Sequence, residues 1–178
     1  MNVQVNRRQI IQQGRVFDIT LENITLPNGF TTDLEIIRHP GASAIVPLTD
    51  DDRVLMIKQY RHAVGGYIWE IPAGTLDGHE DPLDCAKREL IEETGYEASS
   101  WKCLGAVTPV PGYSDEKIHL YLAQELRPGK QHLDLDEVLE VHSLSLERIL
   151  GMIAGGEIQD AKTIAGLFLT LKTTDSLD

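Results

Sequence analysis

The chain has 178 residues, 42% of them hydrophobic, which suits one domain with a full core and a small extension. Its formal net charge of −12 opposes a polyanionic partner, and no stripe of Lys and Arg with interleaved aromatics occurs, so we expect no binding to nucleic acid. No apolar run approaches the roughly 20 residues that span a membrane, so we expect no membrane partner. The two cysteines lack metal-ligand spacing and indicate a reducing compartment, so we expect a cytoplasmic location.

The apolar pattern predicts strands before and after one acidic helix, with two more helices near the end of the chain. Segments 15–26 and 31–38 are rich in Val, Ile, Thr and Phe and flank the turn signal Pro27-Asn28-Gly29, which predicts an N-terminal β-hairpin. Further strands are predicted at 42–48, 54–60, 68–71, 101–107, 118–124 and 137–143. Helices are predicted at 82–94, 145–154 and 160–171. This order of elements favours an α/β/α sandwich.

The helix predicted at 82–94 has a start signal and a stop signal in the sequence. Asp81 can cap it through a side-chain oxygen, and Pro82 suits the first helical position because no N–H is needed there. Gly95 can adopt the left-handed conformation that ends a helix. Local chemistry therefore sets both bounds of this helix.

One face of this helix brings carboxylates together. Glu89 and Glu93 are four residues apart, and Glu89 and Glu92 are three apart. Like charges at this spacing cost a few tenths of a kcal/mol per pair, so we expect a cation to offset the repulsion. Carboxylates without accompanying His or Cys suit a hard divalent ion, Mg²⁺ or Mn²⁺. The alternative is a solvated acidic face that binds nothing.

A spaced pattern links this helix to residues before it. Its members are Gly74, Glu80, Arg88-Glu89, Glu92-Glu93 and Gly95, followed by the bulky Tyr96. The order and spacing resemble the Nudix box. The resemblance implies a Nudix-type α/β/α sandwich with a mixed sheet, and an enzyme that hydrolyses a nucleoside diphosphate linked to another group.

The resemblance also assigns roles within the box. It implies that Glu89 and Glu93 bind the metal, that Glu92 is a variable ligand, and that the backbone carbonyl of Ala73 is a further ligand. Within this pattern, Arg88 is expected to hold a box glutamate in orientation through a forked, charge-assisted hydrogen bond. A surface charge is the alternative interpretation of Arg88.

Segments outside the box resemble the ADP-ribose pyrophosphatase branch of the family. They are 59–61, 69–74, 109–116 and 160–164. A proline at a set distance beyond the box is diagnostic of that branch, and Pro111 lies fifteen residues after Tyr96. The resemblance implies that Pro111 belongs to the substrate-binding residues. The resemblance therefore implies hydrolysis of ADP-ribose to a nucleoside monophosphate and a sugar phosphate. GDP-mannose or another nucleotide sugar is the alternative substrate, and a nucleotide-sensing module without catalysis is the third interpretation.

Hydrolysis of a diphosphate needs a positioned water and a general base near the metal. Glu116 is the first candidate because it lies in the loop 112–117, which begins with Gly112 directly after Pro111 and can close over a cleft. In addition, the matching loop glutamate serves as base in related enzymes. Glu92 is the rival candidate. An inert, exposed side chain is the alternative interpretation of Glu116.

Four further residues are candidates for substrate contact. Arg61 suits the diphosphate and Glu70 suits a ribose hydroxyl, although either can be a member of a surface ion pair instead. Relatives form the base pocket partly from the N-terminal strands of a partner subunit, which implies that Phe17 stacks on adenine and Arg38 assists. An aromatic residue in an alternating strand is, in the alternative, part of the core.

The resemblance implies a homodimer, and it divides the chain into three parts. Residues 1–40 are expected to form a β extension that is exchanged between subunits, because an edge strand favours pairing with another chain. Residues 41–171 are expected to form the hydrolase domain, and residues 172–178 a flexible tail.

Overall fold

The computed structural model describes residues 2–173. The chain divides into two compact units: an N-terminal unit, which contains the chain up to Gly41 together with Thr108–Lys117, and a catalytic unit, which contains Ala42–Val107 and the chain from Ile118 onward. The predicted tail begins at Lys172, but the last helix continues to Thr173, and the rest of that tail lies outside the described residues. None of the helices among residues 2–173 is long and apolar enough to cross a membrane.

The N-terminal unit contains one antiparallel sheet of three strands, in the order β1-β2-β3. The strands are β1 (Gln4–Gln13), β2 (Asp18–Thr25) and β3 (Thr31–Arg38). Gly29 has a φ of 85° in the turn between β2 and β3, which confirms the predicted hairpin. Strand β1 was not predicted. All ten of its residues are exposed, so no buried face produces the alternation by which a strand is identified from sequence.

The catalytic unit contains two sheets and three α-helices among its described residues. Its strands are β4 (Ala42–Pro47), β5 (Arg53–Arg61), β6 (Gly66–Glu70), β7 (Ala73–Thr75), β8 (Tyr96–Val107), β9 (Ile118–Pro128) and β10 (Leu139–Ser145). Its helices are α1 (Pro82–Thr94), α2 (Leu146–Ala154) and α3 (Ala161–Thr173). One sheet has the order β7-β4-β9-β8 and is mixed, because β4 and β9 run parallel while the other pairs run antiparallel. The other sheet, β10-β5-β6, is antiparallel.

Helices cover both faces of the mixed sheet. In β4, Ile45 packs with Ala86 and Leu90 of α1, whereas Val46 belongs to a second cluster with Leu167 of α3. Neighbouring residues of a strand point to opposite faces, so α1 and α3 lie on opposite sides of the sheet. This layering confirms the predicted α/β/α sandwich with a mixed sheet.

Strands β7 and β8 of the catalytic unit depart most from the prediction. Strand β7 has only three residues, too few for an alternating pattern to be visible. Strand β8 begins at Tyr96, directly after the helix, whereas the prediction began it at Trp101. Residues 96–100 include Ala and two Ser, which have little strand preference of their own; their pairing with β9 supplies the structure.

Candidate active site

Helix α1 has the predicted bounds, Pro82–Thr94. The Asp81 side chain accepts a hydrogen bond from the Leu83 N–H at 2.9 Å, as an N-cap does. At the other end, Gly95 has a φ of 74° and its N–H donates to the Ile91 carbonyl at 2.9 Å. Both ends of the helix that carries the box carboxylates are therefore fixed by local hydrogen bonds.

Three carboxylates converge at one point in the catalytic unit. Glu89, Glu93 and Glu137 each offer an oxygen within 4.8 Å of the others. Glu89 is 8% exposed and Glu93 only 1% exposed. The prediction placed Glu89 and Glu93 together but did not include Glu137. We call these three residues the carboxylate cluster.

A loop brings Glu137 to the helix. The Gln131 side-chain amide donates to the Glu93 carbonyl at 2.6 Å, and the His132 N–H donates to the Glu92 carbonyl at 3.0 Å. The last carbonyls of a helix lack partners within it, so these bonds hold the loop against the end of α1. In the sequence, the one signal for Glu137 is the acidic run 134–137, which by itself indicates only a solvated loop.

Gly74 makes room for one member of the cluster. A Cβ atom at this position would lie 1.8 Å from Glu89 Oε1 and 1.9 Å from its Cδ. Gly74 does not have a positive φ, so its backbone conformation does not require glycine. The space taken by the Glu89 carboxylate therefore explains why the box begins with glycine.

Arg88 links three glutamates of the box. Its Nε and Nη2 atoms donate to the two Glu80 oxygens at 3.0 and 2.9 Å, which forms a forked pair. Its Nη1 donates to Glu89 Oε1 at 2.6 Å and to Glu92 Oε2 at 3.0 Å. The Glu92 side chain is 38% exposed and lies outside the carboxylate cluster. Arg88 thus fixes one oxygen of Glu89 while its fork is directed at Glu80.

Burial controls the electrostatics of the cluster. Burial raises the pKa of Glu89 to about 7, and the neighbouring Arg88 guanidinium only partly opposes this effect. Burial and repulsion from Glu89 raise the pKa of Glu93 well above its ordinary value, against the opposing hydrogen bond from the Ala73 N–H. A divalent cation would favour the ionised form of both carboxylates. The donors are all carboxylate oxygens, which fit a hard cation.

Arg61 and Glu70 pair with each other in the catalytic unit. Arg61 Nη2 lies 2.7 Å from Glu70 Oε2, and its Nε also donates to the same carboxylate. Lys162 Nζ lies 3.4 Å from Glu70 Oε1, and the Glu70 side chain is only 4% exposed. The ion pair that the sequence left as an alternative is therefore present, with Glu70 buried and the Arg61 side chain 40% exposed. Substrate contact by either residue stays a prediction.

Two of the predicted substrate residues lie near one cavity of the N-terminal unit. Arg38 pairs with the buried Glu22 and, at 2.8 Å, with Asp115. Arg38, Asp115 and Pro111 help to line a cavity of about 310 Å³. Phe17 is 42% exposed, so its ring is not part of a core within this unit.

Glu116 also belongs to the N-terminal unit. Its carboxylate lies 3.8 Å from His39 Nδ1, its side chain is 23% exposed, and its N–H donates to the Ser114 hydroxyl at 3.2 Å. The role of Glu116 as general base stays a prediction. In the catalytic unit, the geometry adds Glu137 as a third candidate beside Glu92.

A family model described as the NUDIX domain matches residues 38–167. The chain is 41% identical over 168 residues to an ADP-ribose pyrophosphatase of Bacillus subtilis (strain 168), covering 93% of this chain and 91% of that protein. It is 42% identical over 156 residues to a methanol dehydrogenase activator of Bacillus methanolicus, covering 86% and 84%. It is 34% identical over 176 residues to a GDP-mannose pyrophosphatase of Escherichia coli (strain K12), covering 89% and 91%.

A solved structure shares the fold. A crystal structure of an ADP compounds hydrolase superposes with a TM-score of 0.86, covering 99% of this chain and 96% of that one. The sequences are 23% identical, so this likeness concerns the fold.

Proposed function

The chain belongs to the Nudix family, and from that membership we propose that it hydrolyses the diphosphate of ADP-ribose to a nucleoside monophosphate and a sugar phosphate, with water as the nucleophile. One observation carries this proposal: the buried box residues Glu89 and Glu93 meet the half-buried Glu137 in the carboxylate cluster. The similarity to an ADP-ribose pyrophosphatase over 93% of the chain supports the choice of substrate.

We propose Mg²⁺, with Mn²⁺ as a substitute, as the cation of this site. Glu89, Glu93 and Glu137 would hold it, and the Ala73 carbonyl and Glu92 are further candidates. When bound, such an ion neutralises the diphosphate and lowers the pKa of a bound water. The raised pKa values of Glu89 and Glu93 support this assignment, because a divalent charge would offset the burial of two carboxylates.

The protein residues position these groups and accept a proton. Arg88 holds Glu89 through a 2.6 Å hydrogen bond, and Gly74 leaves the space in which that carboxylate lies. For the general base we retain Glu116 and Glu92 and add Glu137, whose carboxylate is already at the cluster. Replacement of each of these three glutamates by Gln tests it as the base, because Gln keeps the shape of the side chain and removes the basic oxygen.

Substrate contacts outside the cluster are a further part of the proposal. Two of the three guanidinium nitrogens of Arg61 engage Glu70, which leaves Nη1 for the diphosphate. We propose that Phe17 stacks on the base, assisted by Arg38, and that Pro111 shapes the same part of the site. The exposed ring of Phe17 supports this role. We also propose a homodimer with exchanged N-terminal strands, in which one protomer would offer this ring to the site of its partner.

A panel of nucleotide sugars tests the choice of substrate. We expect ADP-ribose to give the highest kcat/KM with Mg²⁺, and product analysis in ¹⁸O-labelled water to identify the phosphorus that is attacked. GDP-mannose is the second candidate, because a GDP-mannose pyrophosphatase is 34% identical to the chain. A higher kcat/KM for GDP-mannose would replace the first proposal. Tight nucleotide binding without product at any Mg²⁺ or Mn²⁺ concentration would indicate a sensing module.

We also propose a cytoplasmic location. Both Cys85, which is buried, and Cys103, which is exposed, are free thiols, and this fits a reducing compartment. Fluorescence microscopy of the tagged protein checks the proposal, and a membrane or extracellular signal would contradict it.

A further inference from the structure

The first turn of α3 is tied to the chain segment that leads into the carboxylate cluster. Thr163 is fully buried, and its hydroxyl oxygen accepts a hydrogen bond from the Ile71 N–H at 2.9 Å. The same hydroxyl donates to Asp160 Oδ2 at 2.6 Å. A hydroxyl has one proton, so the Thr163 hydroxyl donates that proton to Asp160 and accepts the Ile71 N–H with a lone pair of its oxygen.

Asp160 is itself held in place. Its Oδ2 accepts the Thr163 N–H at 2.9 Å, which is the N-cap hydrogen bond of α3. Lys162 Nζ lies 3.1 Å from the same oxygen and 3.4 Å from Glu70 Oε1. A carboxylate in this position only accepts hydrogen bonds, so it fixes the direction of the Thr163 hydroxyl.

Ile71 and the two residues that follow it each form a backbone hydrogen bond to a different element of the catalytic unit. The Pro72 carbonyl, next along the chain, accepts from the Ile45 N–H of β4 at 2.8 Å. The Ala73 N–H, one residue further, donates to Glu93 Oε2 of α1 at 2.8 Å. Three consecutive residues are thus bound to α3, β4 and α1 in turn. Only two peptide bonds separate the Ile71 N–H, which donates to Thr163, from the Ala73 N–H, which donates to Glu93.

We propose that Thr163, with Asp160, is a positioning residue for the cation site. It holds Ile71 so that the Ala73 N–H fixes one oxygen of Glu93 and leaves the other for the cluster. Thr163 itself contacts neither the carboxylate cluster nor any candidate substrate residue through a hydrogen bond. The proposal rests on the proposed function in one respect, that the cluster binds a divalent cation.

Mn²⁺ binding, followed by electron paramagnetic resonance of the free ion, tests this role without turnover. Thr163→Val keeps the shape of the side chain but leaves the buried Ile71 N–H without an acceptor, whereas Thr163→Ser retains the hydroxyl. We expect T163V to weaken Mn²⁺ binding about 10-fold, the size found for residues that orient metal ligands. We expect T163S to restore an affinity close to that of the wild type.

Thr170→Val is the matched control. Thr170 is also a buried threonine of α3, and its hydroxyl donates to the Gly166 carbonyl at 2.9 Å within the helix. A merely structural role for Thr163 predicts that T163V and T170V both lower Tm and both leave the Mn²⁺ Kd unchanged. The positioning role predicts a raised Kd in T163V alone.

The outcomes separate the two proposals. A wild-type Kd in T163V overturns the positioning role and leaves the proposed function intact. An absence of Mn²⁺ binding by the wild-type protein overturns the proposed function and the positioning role together. If T163V does not fold, T163C takes its place, because its sulfur is only a weak hydrogen-bond acceptor. A Kd for T163C equal to that of the wild type would likewise overturn the positioning role.

Discussion

Replacement of Gly74 by alanine tests whether Glu89 is held where the structure places it. The added Cβ would lie 1.8 Å from Glu89 Oε1, whereas an ordinary contact begins at 3.4 Å. The carboxylate must therefore retreat by about 1.6 Å, far beyond the ~0.2 Å tolerance of a metal ligand. Displacement of an orienting residue already costs 10- to 100-fold in metal affinity, so loss of a ligand should cost about 100-fold, or ~2.7 kcal/mol.

The fold should survive this change. Gly74 does not have a positive φ, so alanine fits its backbone. Replacement of such a glycine stabilises a protein by about 0.4–1 kcal/mol through the unfolded state, while overpacking costs about 1–3 kcal/mol. The net destabilisation is at most about 2.6 kcal/mol, which lowers Tm by no more than about 10 °C in a chain of this size. Gly66→Ala is the matched control, since its Cβ meets nothing within 4 Å.

The assay measures the Mn²⁺ Kd and kcat/KM for ADP-ribose in G74A, G66A, E89Q and the double variant G74A/E89Q. We expect G74A to resemble E89Q, and the double variant to be no worse than either, because both changes remove the same ligand. G66A should behave as the wild type. If G74A kept the Mn²⁺ affinity and the turnover of G66A, the account of the box glycine would be refuted.

Three other predictions concern the base, the arginine and the N-terminal unit. E137Q should lower kcat by about 100-fold or more and remove the acidic limb of the pH–rate profile. Loss of that limb in E116Q or E92Q, but not in E137Q, would give the role of base to that residue. R88K keeps the charge but not the fork on Glu80, so it should weaken Mn²⁺ binding by about 10-fold; unchanged binding would make Arg88 a surface charge. Glu22 is buried, but hydrogen bonds from Arg38, Arg8 and Thr20 lower its pKa from 4.5 to about 2, so its stabilising contribution is full above pH 4.5 and is lost as the pH falls toward 2. Urea unfolding between those pH values should therefore show a steeper loss of stability in the wild type than in E22Q, and parallel curves would contradict the assignment.

The sequence predicted those parts of the molecule that depend on local chemistry. Asp81, Pro82 and Gly95 bound α1 correctly because caps and the left-handed conformation act within one turn of the chain. The sequence also placed Glu89 and Glu93 together, because residues four apart lie on the same face of a helix. Strand β1 was missed because it has no buried face, and backbone pairing with β2 is the contact that defines it.

The parts that depend on tertiary contacts could not be predicted. Glu137 reaches the cluster because Gln131 and His132 bind the end of α1, and no spacing rule links that loop to the box. The space beside Gly74 is likewise visible only when β7 and α1 are packed. For Arg61 and Glu70 the sequence left two interpretations open, and the structure supplies the ion pair without deciding their contact with substrate.

Product analysis of ADP-ribose incubated with Mg²⁺ and the protein tests whether the carboxylate cluster is the active site. We expect the wild type to release AMP and a sugar phosphate, and the double variant E89Q/E93Q to release neither while it retains its circular-dichroism spectrum. Both carboxylates are buried in the cluster with raised pKa values, so neutral amides should fit the fold and remove the cation site. Turnover by E89Q/E93Q at the wild-type rate would contradict the claim that this cluster is the active site.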